Sequence, residues 1–142
     1  MKVNCFTAIK VILLADGIKI PYERVYEFFD SVEDKSFVKH RLSELAVGDL
    51  ILWRKNTIPF SGDTGHIAII REILTDGWIR VYDYSKQPHS NEVCTRPGLG
   101  EGEMKLILDD DEILGFIWSK EIKKTKMTKV LGISPQDLKK LF

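Results

Sequence analysis

The run His66-Ile67-Ala68-Ile69-Ile70-Arg71-Glu72-Ile73-Leu74, the step Thr75-Asp76-Gly77 and the run Trp78-Ile79-Arg80-Val81-Tyr82-Asp83-Tyr84 carry the signal that decides the fold. β-Branched and aromatic side chains fit a pleated, half-buried surface. An Asp-Gly pair supplies the left-handed conformation that a tight hairpin requires. The two runs are therefore predicted to be antiparallel neighbours. The same texture recurs at Leu50–Arg54, Met104–Leu108 and Leu114–Trp118, so the chain after Gly48 reads as a series of about five strands.

Upstream the period changes. Cys5, Ile9, Ile12 and Leu13 recur at three- and four-residue spacing, which predicts a helix over 5–16 with Asn4 as its N-cap and Gly17 as its stop. A second short helix is predicted after Pro21, with Val25, Phe28 and Phe29 on its inner face. The charged segment from Val32 to Leu45 reads as a loop or frayed helix. Helices first and strands second is the order of an α+β fold, with N-terminal helices packed on one side of an antiparallel sheet. With 142 residues, 44% of them hydrophobic, one domain is expected. Its bounds are read as residues 1–119. Residues 120–142 read as a basic C-terminal tail, solvated apart from a short helix started by Ser134-Pro135. There is no internal repeat.

Lysine and arginine number 21 and so do aspartate and glutamate, with a pI near 6.8, so no global field attracts nucleic acid or an anionic membrane. The apolar stretch Phe6–Ala15 is interrupted by Lys10 and followed by Asp16-Gly17-Ile18-Lys19. That is neither a cleavable signal nor the ~20 residues of a membrane span, and a cytoplasmic protein is expected. Two cysteines, Cys5 and Cys94, are too few for a disulfide scaffold and suit a reducing compartment. No Gly-rich phosphate loop, HExxH or paired CxxC occurs, so no cofactor and no metal are expected. Asp109-Asp110-Asp111-Glu112 lacks the spaced ligands of a calcium loop and reads as a tight acidic turn between strands.

A thiol attacks as thiolate, and a place in the first turn of a helix favours that form through the unpaired N–H groups there. Cys5 has that place, and the same N–H groups, with Asn4, suit an oxyanion. Taken alone, Cys5 reads better as a small core residue, since buried inert cysteines are common. His66, directly after Gly65 at the start of an apolar strand, changes the balance: the two are the trace of a Cys-His pair joined by folding. The third member is expected on the neighbouring strand, where Asp83 stands; it also reads as an ordinary strand-end acid, with His89 and Asn91 in reserve. His40 reads as a surface residue and Cys94 as structural. Trp53, Tyr82, Tyr84 and Arg96 are candidates to line a substrate cleft, and equally candidates for packing.

Four blocks in order, Asn4-Cys5 opening an apolar helix, Val47-Gly48-Asp49-Leu50-Ile51-Leu52-Trp53, Asp63-Thr64-Gly65-His66-Ile67-Ala68-Ile69-Ile70 and Ile79–Asp83, resemble the CHAP family of papain-like cysteine amidases in the NlpC-like superfamily. Within it the likeness is to the amidase domains of bifunctional glutathionylspermidine synthetase/amidase, including Asp111-Glu112-Ile113-Leu114-Gly115-Phe116, and it covers about residues 4 to 118. The resemblance implies a papain-like core, a nucleophile at Cys5, a base at His66 and an orienting acid at Asp83. Asn4 stands where the family often has glutamine, and Asp83 where it commonly has glutamate. The implied reaction is hydrolysis of a C–N amide bond in a peptide, peptidoglycan fragment or glutathione-polyamine-type conjugate through an acyl-enzyme. An acyltransferase using the same pair, or an inactive binding module on the same fold, are the rival readings. Substrate and oligomeric state are left open.

Overall fold

Leu50-Ile51-Leu52-Trp53 and Ile67-Ala68-Ile69-Ile70 are unbroken apolar runs, which marks strands covered on both faces rather than one. In the computed structural model of this chain all eight residues are buried. The structure describes residues 4–85, 98–118 and 125–142. Its strands are β1 (Leu50–Arg54), β2 (Gly65–Ile73), β3 (Trp78–Ser85), β4 (Gly98–Asp109), β5 (Glu112–Ile117), β6 (Thr125–Met127) and β7 (Val130–Ile133). They form one sheet in the order β6-β5-β4-β3-β2-β1-β7, antiparallel throughout. The hairpin between β2 and β3 is the expected one. Asp76 and Gly77 take φ of 57° and 83°, and the Trp78 N–H donates to the Thr75 carbonyl at 3.1 Å.

The sheet curls until a single segment spans its two ends. Lys39 exchanges two backbone hydrogen bonds with Gly132 of β7, each 2.8 Å, while the His40 carbonyl accepts from Ile113 of β5 at 3.0 Å. Leu42 N–H donates to the Asp111 carbonyl at 3.0 Å. The approach to β1 is pinned by buried Asp49, whose carboxylate takes the Lys39 ammonium at 2.7 Å and the Ala46 N–H at 2.9 Å. The charged segment therefore holds no α-helix, only a 3₁₀ turn at Leu42–Glu44.

Two cores result. On one face lie α1 (Cys5–Ala15), α2 (Val25–Val32) and α3 (Pro135–Leu141), whose Phe6, Ile9, Leu13, Phe28, Phe29 and Leu138 meet Leu50, Leu52, Ile67, Ile69, Leu131 and Ile133. On the other face the sheet packs on itself, through Ile51, Trp53, Ala68, Ile70, Ile79, Val81, Met104, Leu106 and Phe116. The α+β expectation holds, with seven strands in place of about five. The segment read as a solvated basic tail is corrected: it supplies edge strand β6, strand β7 paired along β1, and α3, whose Leu138 is fully buried and whose last residue, Phe142, packs edge-on against Tyr22. Ser134 caps α3 as expected, accepting from the Asp137 N–H at 3.1 Å, with Pro135 opening the helix. Charge had hidden the strands, because the apolar content of β7 is only four residues long. No helix among the described residues is long and apolar enough to cross a membrane.

Candidate active site

The site begins at the start of α1. Asn4 has extended backbone, and its side-chain oxygen accepts from the N–H groups of Phe6 at 3.0 Å and Thr7 at 2.9 Å; the Thr7 hydroxyl accepts from the Asn4 N–H at 3.0 Å. This reciprocal box fixes the helix entry. It takes the amides of Phe6 and Thr7 and does not take that of Cys5. Cys5 itself is 8% exposed and packs in the helix-side core. α1 lies across β2 and β3, which brings its first turn to the end of the hairpin remote from the Thr75–Gly77 turn.

His66 is the second residue of β2, and Gly65 before it is required by the backbone of β1. A Cβ on Gly65 would stand 2.1 Å from the Trp53 carbonyl oxygen, far inside contact distance, so only glycine permits this pairing of β1 and β2 at the start of the strand. The imidazole points to the face that carries Trp53 and Val81. Its Nε2 donates to Oδ2 of Asp83 at 2.5 Å, and that carboxylate, near the end of β3, is completely buried. With Nε2 engaged, Nδ1 is the nitrogen left for Cys5. The thiol acts on the ring both as hydrogen-bond partner and as charge. Burial pushes the imidazole toward the neutral form, but the hydrogen bonds to Asp83 and Cys5 and the negative charge of both outweigh it and carry the pKa from 6.5 up to about 10. The balance of these effects favours the protonated ring. Trp53 lies 5.1 Å from it, and Trp118 meets it at 5.1 Å and 87°.

No family model, no curated protein and no solved structure matches this chain.

Cys5, His66 and Asp83, three residues singled out from sequence on three separate elements, are brought together. Asn4 caps α1 as expected, and His40 is exposed. The expected cleft residues are placed differently. Trp53 is buried against Phe116 at 4.1 Å and backs the imidazole instead of facing substrate, and Tyr82 holds the Arg71 guanidinium over its ring at 4.9 Å. Tyr84 is half-buried on β3. Arg96, His89, Asn91 and Cys94 lie outside the described residues. The cleft that opens beside Cys5, about 50 Å³, is walled by Asn4 and Phe6, by Glu23–Val25, and by Gly62–Gly65. None of Trp53, Tyr82 and Tyr84 lines it. Sequence reasoning missed Trp118 as a neighbour of the site, although Phe116 and Trp118 share a strand face by simple alternation. It also missed Glu23, Arg24 and Thr64. The Thr64 hydroxyl accepts from the Tyr26 N–H at 3.2 Å, tying the residues before His66 to α2.

Proposed function

We propose that this chain is a cysteine-dependent amidase or peptidase with the papain-like arrangement of the CHAP family, cleaving a C–N amide bond through an acyl-enzyme on Cys5. The observation that carries the reading is one imidazole bonded to a buried carboxylate through Nε2 and turned to the only described cysteine with its other side. In this reading the Cys5 thiolate attacks the carbonyl, and the Cys5 N–H, the first-turn donor not used by the cap, donates to the developing oxyanion. His66 then gives its proton to the leaving amine, so that the C–N bond breaks with no free amide anion. Asp83 holds the ring in position throughout.

The second half-reaction follows from the same electrostatics. Acylation converts the thiolate to a neutral thioester, which removes two of the influences that had raised the ring's pKa. An imidazole that has just lost its proton is then a competent base for water, and hydrolysis of the thioester restores the starting pair. The substrate class is a peptide, a peptidoglycan fragment or a glutathione-polyamine-type conjugate.

The test is iodoacetamide alkylation of Cys5 at about pH 6, where a free thiol of pKa ~8.5 is almost wholly protonated. Rapid labelling that falls to the free-thiol rate in His66→Ala is the expected result. Labelling that ignores His66 sinks the pair and leaves a binding module on this fold as the better description.

A further inference from the structure

We propose that the loop ahead of β2 is the specificity wall of the thiol site, and that Phe60 at its tip holds an apolar, aromatic group of the substrate beside the scissile amide. The inference rests on the amidase reading and names a substrate feature for it. The loop is built, not slack. Its base is closed by the Lys55 N–H donating to the Thr64 carbonyl at 2.7 Å, and the Thr64 hydroxyl is tied to α2. Arg24, the residue that precedes α2, reaches across with one guanidinium nitrogen to the carbonyls of Pro59 at 2.9 Å and Gly62 at 3.4 Å. Those two anchors straddle Phe60-Ser61. The far limb, Gly62–Gly65, is itself a wall of the cleft beside Cys5.

Between the anchors the Phe60 ring is fully exposed, whereas Val11, the next most exposed large apolar residue described, still has about a third of its surface covered at 68%. A tight tip needs only small or polar residues, and an aromatic ring left in water there gains nothing for the fold. Holding that ring two residues from Gly62, which walls the cleft, does gain something for a ligand, because the backbone on either side of it is already anchored before binding. Flat rings reward an aromatic or apolar partner.

Two reagents with the same reactive carbon separate this contact from thiol chemistry: iodoacetamide and its N-(2-phenylethyl) derivative, with labelling of Cys5 localised by peptide mass. The ratio of their rate constants cancels any change in the thiol itself. The ratio at Cys5 is expected to exceed that of cysteine in a short peptide by about threefold to tenfold, the worth of one aromatic pair. It should fall to the peptide value in Phe60→Ser, be kept in Phe60→Trp, and drop in Arg24→Ala, which frees the loop. A ratio equal to the peptide's, or one that Phe60→Ser leaves unchanged, overturns the inference while the amidase reading stands. Failure of both reagents to label Cys5 overturns both.

Discussion

The two faces of the sheet are made of different material. Toward the helices, Leu50, Leu52, Ile67, Ile69, Leu131 and Ile133 meet aliphatic and phenyl groups, and Cys5 is the one thiol among them. On the opposite face, Ala68, Ile70 and Val81 continue the same logic until the strand ends, where His66 and fully buried Asp83 replace it against Trp53 and Trp118. A buried ion pair is commonly no more stabilising than apolar residues of the same volume. The neighbours on that face show that apolar residues fit there. The pair is therefore a departure from the fold's own rule, confined to the end of the hairpin that α1 covers with its first turn. The proposed chemistry gives that departure a use that packing does not.

The sharpest way to break this contrast is to remove chemistry from each side separately. Cys5→Ala and His66→Ala should each lower amide hydrolysis about a thousandfold or more. Cys5→Ala is expected to leave the thermal midpoint nearly unchanged, because it exchanges one small buried group for another. Asp83→Ala should impair turnover nearly as much and also destabilise, since it strands His66 as a buried cation that has lost its carboxylate. If Asp83→Ala were as active as wild type, the buried carboxylate would belong to the fold and not to the site.

Packing changes come next in size. Leu138→Ala is expected to lower stability by about 2–4 kcal/mol, as for other fully buried leucines; urea unfolding measures it. A negligible effect would return α3 to the status of a solvated tail. Gly65→Ala should destabilise by about 1–3 kcal/mol because β1 must shift to admit the methyl group. It should also slow alkylation of Cys5, whereas Leu138→Ala should not.

Local cues make part of this architecture legible in the sequence, and long-range pairing hides the rest. β1 is legible with its observed bounds because Leu50–Arg54 signals a strand whichever face it turns inward. Cys5, His66 and Asp83 were legible because each carries its own local cue: a helix start, a strand start after glycine, the end of a hairpin arm. β4 was seen only from Met104, since Gly98-Leu99-Gly100-Glu101-Gly102 has little strand preference and is held extended by its pairing with Val81–Ser85. β7 depends on β1, far away in the chain, and the 39–42 bridge depends on both β7 and β5. The cleft escaped for the same reason: three segments distant in sequence make it.

The pH dependence of stability separates the faces without a steric change at the helix side. His66 is near 6.5 when unfolded and about 10 in the folded protein. Counting His66 alone, the folded state binds the extra proton between those values, so stability falls as pH rises; a thiolate at Cys5 offsets that proton up to the ~8.5 of a free thiol, and the uncompensated fall lies above it. The contribution is complete below about 6.5 and lost as pH climbs through about 10. Denaturant midpoints from about pH 8.5 to 10 should show this slope in wild type and lose it in His66→Gln. An equal slope in both proteins would assign it to groups elsewhere.

The smallest effect distinguishes two uses of one residue. Asn4→Ala removes the side-chain acceptor for the Phe6 and Thr7 amides and should lower stability by about 1 kcal/mol. Asn4→Asp keeps an acceptor at the same position and places a negative charge at the positive end of α1, so stability should be kept or improved. The same charge opposes an oxyanion forming at the Cys5 amide. Turnover should therefore fall in Asn4→Asp although the helix is better held, and fall less in Asn4→Ala although it is worse held. Were rate instead to follow stability across the two variants, Asn4 would act on the site only by holding α1 in place, and the contrast between the faces would rest on His66 and Asp83 alone.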